Sequence, residues 1–166
     1  MPVASDQKTA AGFARSWTTL RDPAVYSAEQ VHEWLRPWAP EELRGSSVLE
    51  LGCGSGAHLH RVADLGPGRL VGVELGEIYR TAQALLGKRA EITQGDLTHY
   101  SQLIQRLGTF DHVFCIGVIH HMSDPRAGVN SLLELTRPGG RFHGWVYAHE
   151  GNAPVRWLVE PLRRVA

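Results

Sequence analysis

The stretch Ser47-Val48-Leu49-Glu50-Leu51-Gly52-Cys53-Gly54-Ser55-Gly56 decides the fold of this chain. Ser47 to Leu51 reads as a buried strand that ends at three glycines in alternate positions. Ala57 to Leu65 then reads as a helix, which Gly66-Pro67-Gly68 stops. Glycine here permits positive φ and lets a ligand lie directly on the backbone, while the helix behind points free N–H groups at it. A loop of this kind binds something small. In an open parallel sheet the crevice beyond the strand C-termini is where that ligand goes.

Reading outward, Arg69 to Glu74 is a second strand, Glu77 to Leu86 a helix closed by Gly87, and Ala90 to Thr93 a short third strand. A polar turn, Gln94-Gly95-Asp96, precedes a helix over Tyr100 to Leu107 and a fourth strand over Phe110 to Ile116. Asp124 is the expected N-cap of a helix over Pro125 to Leu135, with proline at its first position. The turn Pro138-Gly139-Gly140 then launches a fifth strand, Arg141 to Tyr147. This alternation predicts an α/β fold: an open, mainly parallel, doubly wound, Rossmann-like sheet in the order 3-2-1-4-5 with helices on both faces. One domain is expected over residues 1–166. An N-terminal helical segment (1–44) carries an amphipathic helix over Tyr26 to Trp38, the α/β core spans 45–152, and a C-terminal helix follows in 153–166. In that last helix Trp157, Leu158 and Leu162 share a face and Pro161 introduces a kink.

The totals narrow the function. With 166 residues the chain can bury a core without disulfides or a structural metal. The 17 basic and 17 acidic residues cancel, so there is no long-range attraction for nucleic acid or anionic lipid, and neither partner is expected. Cys53 and Cys115 are unpaired in spacing, and no apolar stretch approaches the ~20 residues of a membrane span. Cytoplasmic localisation is the expectation. Nine histidines include His58-x-His60 and the adjacent His120-His121, but no zinc spacing accompanies them, so no metal is expected.

Among charged residues Glu50 is the discriminating one. Gly52, Gly54 and Ala57 with Glu74 also satisfy a dinucleotide fingerprint, yet a carboxylate just before the loop repels a pyrophosphate and favours the ammonium and sulfonium of S-adenosylmethionine. Glu74, closing the second strand, is suited to a bidentate contact with ribose hydroxyls. Asp96 is suited to an adenine amino group, with Leu97 packing on the ring; the alternative is a plain turn aspartate.

The succession ELGCGSG, VGVELGE, GDL, FDHVFCIGVIHHMSDP and LTRPGGRFHGWVYAHEGN, over about residues 47 to 152, resembles the motif series of class I S-adenosylmethionine-dependent methyltransferases. The resemblance implies that Glu50, Gly52, Gly54 and Gly56, with Cys53 as the loop's small residue, hold the methionine moiety. Glu74 would take the ribose, Asp96 the adenine amino group, Leu75 and Leu97 the ring faces, and Ile116 and Gly117 the space beneath the sulfonium. His120 and His121 match a histidine pair at the active-site edge and are the candidate general bases. Trp17, Trp34, Trp145 and Tyr147 are read as core, with an aromatic acceptor pocket as the alternative.

The implied activity is methyl transfer from S-adenosylmethionine to a small-molecule acceptor. Two alternatives are a non-catalytic or truncated cofactor-binding module and a nicotinamide-dependent oxidoreductase. The family's sheet continues past the fifth strand into an antiparallel hairpin for which few residues remain, so a fragment and a dimer through the open sheet edge are both expectations to test.

Overall fold

The computed structural model describes residues 6–12, 25–36 and 38–147. Five parallel strands form one sheet in the order β3-β2-β1-β4-β5: β1 Ser47–Leu51, β2 Arg69–Glu74, β3 Glu91–Gln94, β4 Phe110–Ile116 and β5 Thr136–Trp145. The expected α/β class and strand order hold. The helices are α1 (residues 6–12), α2 Ala28–Trp34, α3 Pro40–Leu43, α4 Ala57–Ala63, α5 Tyr79–Leu86, α6 Tyr100–Leu107 and α7 Pro125–Leu135. No helix among the described residues is long and apolar enough to cross a membrane.

Side-chain alternation along β1 divides the core. Leu49 and Leu51 join Val71, Val73 and Val113 under α6 and α7, whereas Val48 faces Phe114, Leu59 and Leu86 on the side of α4 and α5. Glu50 pairs with Gly72 on one side and Phe114 on the other, so this carboxylate lies on the α4 side and is fully buried. Gly72 makes room there: a Cβ on it would come within 2.8 Å of Cys53 Sγ and 2.6 Å of a Leu59 methyl.

Three elements differ from expectation. The helix expected over Tyr26 to Trp38 is shorter, α2 from Ala28 to Trp34, since the proline at position 37 has no N–H to continue it; α3 is a separate turn that begins at Pro40, beyond the expected stretch. The helix expected from Glu77 begins at Tyr79, after a turn in which Tyr79 N–H donates to Gly76 O. The fifth strand starts at Thr136, before Pro138-Gly139-Gly140. Phe110 pairs with Thr136 while His112 pairs with Arg141, so the proline-glycine stretch bulges out of a strand and does not precede one. Trp17 and the C-terminal helix expected in 153–166 lie outside the described residues.

Below β4 and β5, Trp38 packs edge-on against His112 (4.9 Å between centroids) and His143 (5.9 Å). Burial holds both imidazoles below their ordinary pKa, so both are neutral in the folded chain. As pH falls below about 6.5 the unfolded chain binds protons first, and the stability due to these neutral rings is lost toward the lower folded values. The urea midpoint is therefore expected to drop between pH 7 and 5, and His112→Asn to flatten that drop. An unchanged slope in the variant would remove His112 from the account.

Candidate functional site

At the C-terminal ends of β1, β2 and β4 the chain must turn sharply, and glycine makes those turns. Gly52, Gly54 and Gly56 have φ of 76°, 54° and 84°, and Gly117 after β4 has 73°. A Cβ on Gly52 would meet Val118 Cγ2 at 2.5 Å, so no other residue fits there without movement. Gly52 and Cys53 both donate their N–H to Val73 O, at 2.7 and 3.0 Å, which binds the loop to the end of β2.

Glu74 braces the same loop from beneath. Its Oε2 accepts from Gly54 N–H at 3.0 Å and its Oε1 from Gly76 N–H at 2.8 Å. Burial pushes its carboxyl pKa up, against the pull of those backbone donors. Each oxygen keeps a further lone pair for a hydroxyl donor. Asp96 caps a short 3-10 turn, Leu97–His99, through Oδ1, which accepts from Thr98 N–H at 2.9 Å and from Thr98 Oγ1 at 2.7 Å. Its Oδ2 is buried, with His99 Nδ1 3.1 Å away as its neighbour. Ser131 of α7 donates to Leu97 O, which ties this turn to the helix behind it.

These ends surround a cavity of about 220 Å³. Gly52, Cys53, Gly54, Glu74, Leu75, Asp96, Leu97, Ile116, Gly117 and His121 line it, together with Asp6, Thr9 and Ala10 of α1. Asp6 is anchored to the segment that follows β4: its two carboxylate oxygens accept from Ser123 N–H at 2.8 Å and from Ser123 Oγ at 2.9 Å. Glu50, Gly56 and His120 stand outside the lining.

The family model for the methyltransferase domain matches residues 49–142, the strands and loops just described. The chain belongs to that family. Its sheet order and glycine loop make this methyltransferase domain a member of class I, the S-adenosylmethionine-dependent group. It is 31% identical over 120 residues to a tRNA U34 carboxymethyltransferase of Idiomarina loihiensis, covering 66% of this chain and 37% of the relative. It is 30% identical over 118 residues to a ubiquinone biosynthesis O-methyltransferase of Albidiferax ferrireducens, covering 69% and 44%. Among solved structures, a chain of the Haloferax volcanii complex containing the Trm112 methyltransferase activator superposes with a TM-score of 0.69 at 23% identity, over 92% of this chain and 65% of that one. A S-adenosylmethionine-dependent methyltransferase from Mesorhizobium loti gives 0.54 at 22%, over 70% and 52%. The chain spans less than half the length of the curated relatives it matches.

Within this methyltransferase domain, Glu50 meets a partner that the motif alone did not reveal. Its Oε1 lies 2.6 Å from Nδ1 of His58, the second residue of α4, while its Oε2 is buried with no partner among the described residues. Tyr26 stacks on the His58 ring at 5.0 Å and 23°, and Trp34 meets it edge-on at 5.4 Å. Burial, then the charges of Tyr147 and Glu50, push the Tyr26 phenol up to about 12.

The two histidines after β4 differ in access. His121 lines the cavity and is exposed, whereas both ring nitrogens of His120 are buried with no hydrogen-bond partner among the described residues. The rings of this pair are 3.9 Å apart, and His120 meets Tyr147 edge-on at 4.9 Å. Burial lowers the pKa of both, and His120 lowers that of His121 further, so both are neutral near pH 7. No group of three or more His, Cys, Asp or Glu converges as a metal site among the described residues.

Proposed function

We propose that this domain binds S-adenosylmethionine in the cavity and transfers its methyl group to a small-molecule acceptor. The observation that carries the reading is the loop Gly52–Gly54 braced by Glu74, facing the carboxylate of Asp96 across one cavity. The donor set fits the cofactor: a cradle that a Cβ would fill at Gly52, carboxylate lone pairs at Glu74 for two hydroxyls, and an acceptor at Asp96 for an amino group. Leu75 and Leu97 supply apolar faces for the base between them, and Gly117 leaves backbone open beneath the reacting centre. When bound, the cofactor supplies a methyl carbon activated by positive sulfur.

The protein's part is alignment. Ile116, Gly117 and Val118 form the floor past β4, and α1, held by Asp6 on Ser123, lines the cavity and limits water. On this reading His121, neutral and on the lining, takes the proton of an acceptor that carries one. A transfer RNA acceptor, as in the name of the Idiomarina loihiensis relative, is a second reading that the relatives' names favour. Against it stand the zero net charge and the absence of Lys or Arg from the described lining, where phosphates would need cations.

The test is calorimetric titration of the chain with S-adenosylhomocysteine and, separately, NAD. Saturable binding of the first only is the expected result; NAD binding in its place would overturn the cofactor reading.

A further inference from the structure

Beyond the cofactor-binding end, the cavity wall is built from rings contributed by separate segments. Tyr26, Trp34, Trp145 and Tyr147 all line it. Their centroids run in contact: Tyr26 to Trp34 at 4.9 Å, Trp34 to Trp145 at 5.8 Å, Trp145 to Tyr147 at 4.9 Å. Tyr147 is 55% exposed, and Trp34 and Trp145 are only partly buried, in contrast with Trp38, which is 5% exposed and belongs to the core. Rings that serve packing alone are expected to resemble Trp38; these open onto a cavity.

The charges around that wall have one sign. The ionisable carboxylates on the described lining are Asp6, Glu74 and Asp96, with Glu50 buried behind His58, and no Lys or Arg is among the described lining residues. Aromatic faces with nearby carboxylates attract a cationic nitrogen and disfavour an anion. His121, the exposed imidazole on the lining, serves an acceptor that must lose a proton, whereas a tertiary amine needs none taken in the site. The rings and carboxylates of this wall favour a cationic product whether or not that base acts.

We propose that the ring-lined end is the acceptor subsite for a small tertiary amine, methylated on nitrogen to a quaternary ammonium. This rests on the S-adenosylmethionine reading above. The amine enters as its free base, its proton left to solvent. The nitrogen lone pair attacks the methyl carbon and forms the new C–N bond. The carbon–sulfur bond breaks and its electron pair stays on sulfur, which becomes the neutral thioether of S-adenosylhomocysteine. Positive charge leaves sulfur and reappears on nitrogen, between the rings, so the same aromatic faces and carboxylates favour the transition state as the charge moves.

Three isosteric probes test the subsite on the chain saturated with S-adenosylhomocysteine: choline (cationic), 3,3-dimethylbutan-1-ol (neutral) and 3,3-dimethylbutanoate (anionic). Tryptophan fluorescence is the readout. Choline is expected to bind at least tenfold more tightly than the alcohol, and the carboxylate more weakly still. Trp145→Leu is expected to erase that preference while S-adenosylhomocysteine affinity stays within about twofold. Tyr147→Leu, at an exposed position where folding is not in question, is expected to reduce it about threefold. Equal or inverted preference, or no binding of any probe to the cofactor-loaded chain, overturns the amine subsite and leaves the cofactor reading intact. Failure to bind S-adenosylhomocysteine overturns both, since the subsite is defined by the methyl group it faces.

Discussion

Replacing Glu74 with alanine is expected to lower S-adenosylhomocysteine affinity by at least 100-fold. On the proposed reading its carboxylate accepts two ribose hydroxyls, and a hydrogen bond to a charged group contributes about 1.5–3 kcal/mol. Two of them therefore correspond to about 100-fold or more in affinity. The variant also loses the acceptors for Gly54 and Gly76 N–H, so the loop that cradles the ligand is no longer held in shape.

Stability depends on the same carboxyl through pH. The folded pKa of Glu74 is raised, so its contribution is favourable below the unfolded value near 4.3 and is lost as pH rises through the folded one. Alanine removes this pH dependence, and with it the acceptors of two backbone N–H groups, so the urea midpoint of the variant should lose the part of its pH slope that is due to Glu74. Calorimetric titration and urea unfolding check the two halves separately. A large fall in stability with affinity intact would show that Glu74 is a brace and not a ligand for the cofactor. Glu74→Gln keeps one acceptor oxygen but turns an amide toward Gly54 or Gly76 N–H, and is expected to fall between, at about tenfold.

How much of this was legible in the sequence follows from how local each feature is. α6 and α7 lie where the periodicity and the Asp124-Pro125 start signal put them, because amphipathic spacing and an N-cap are properties of consecutive residues. β1, β2 and β4 were equally plain, being apolar runs that end in Gly52, Glu74 and Gly117. The start of β5 was not. Pro138-Gly139-Gly140 reads as a turn in one dimension, and only the pairing of Thr136 with Phe110 shows that the strand continues through a bulge. The glycine loop, Glu74 and Asp96 were legible as candidates because one strand–loop spacing contains each.

The ring-lined wall was legible only as the alternative to a core reading of Trp34, Trp145 and Tyr147, and Tyr26 not at all, since the four rings meet only when α2 folds over the end of β5. His58 was also passed over, considered only as half of a His-x-His metal spacing. The signal that could have found it is the acid two residues before the first loop glycine and an imidazole in the first turn of the next helix. The Gly52 to Gly56 turn folds those two back against each other.

That pair carries the second large effect. Glu50 is fully buried, and its described hydrogen-bond partner is His58, 2.6 Å away on the same side of the sheet as Phe114 and Gly72. His58→Ala leaves the carboxylate in a site whose other oxygen already has no partner among the described residues. Removing one member of a buried pair costs about 3–5 kcal/mol, since an uncompensated charge stays behind. The stack with Tyr26 and the edge contact with Trp34 are lost as well. An expected loss of about 3 kcal/mol would show as a large shift in the urea midpoint. The double variant Glu50→Gln, His58→Ala separates pairing from packing: with the charge gone, the histidine has less to compensate, so the two effects should fall short of their sum by about 1.5 kcal/mol or more. Additivity to within about 0.5 kcal/mol would mean that the imidazole serves only as packing for Tyr26 and Trp34. Coupling would instead establish Glu50 as a carboxylate held below the glycine loop by a single donor, at a site where an apolar side chain would pack at lower cost to folding.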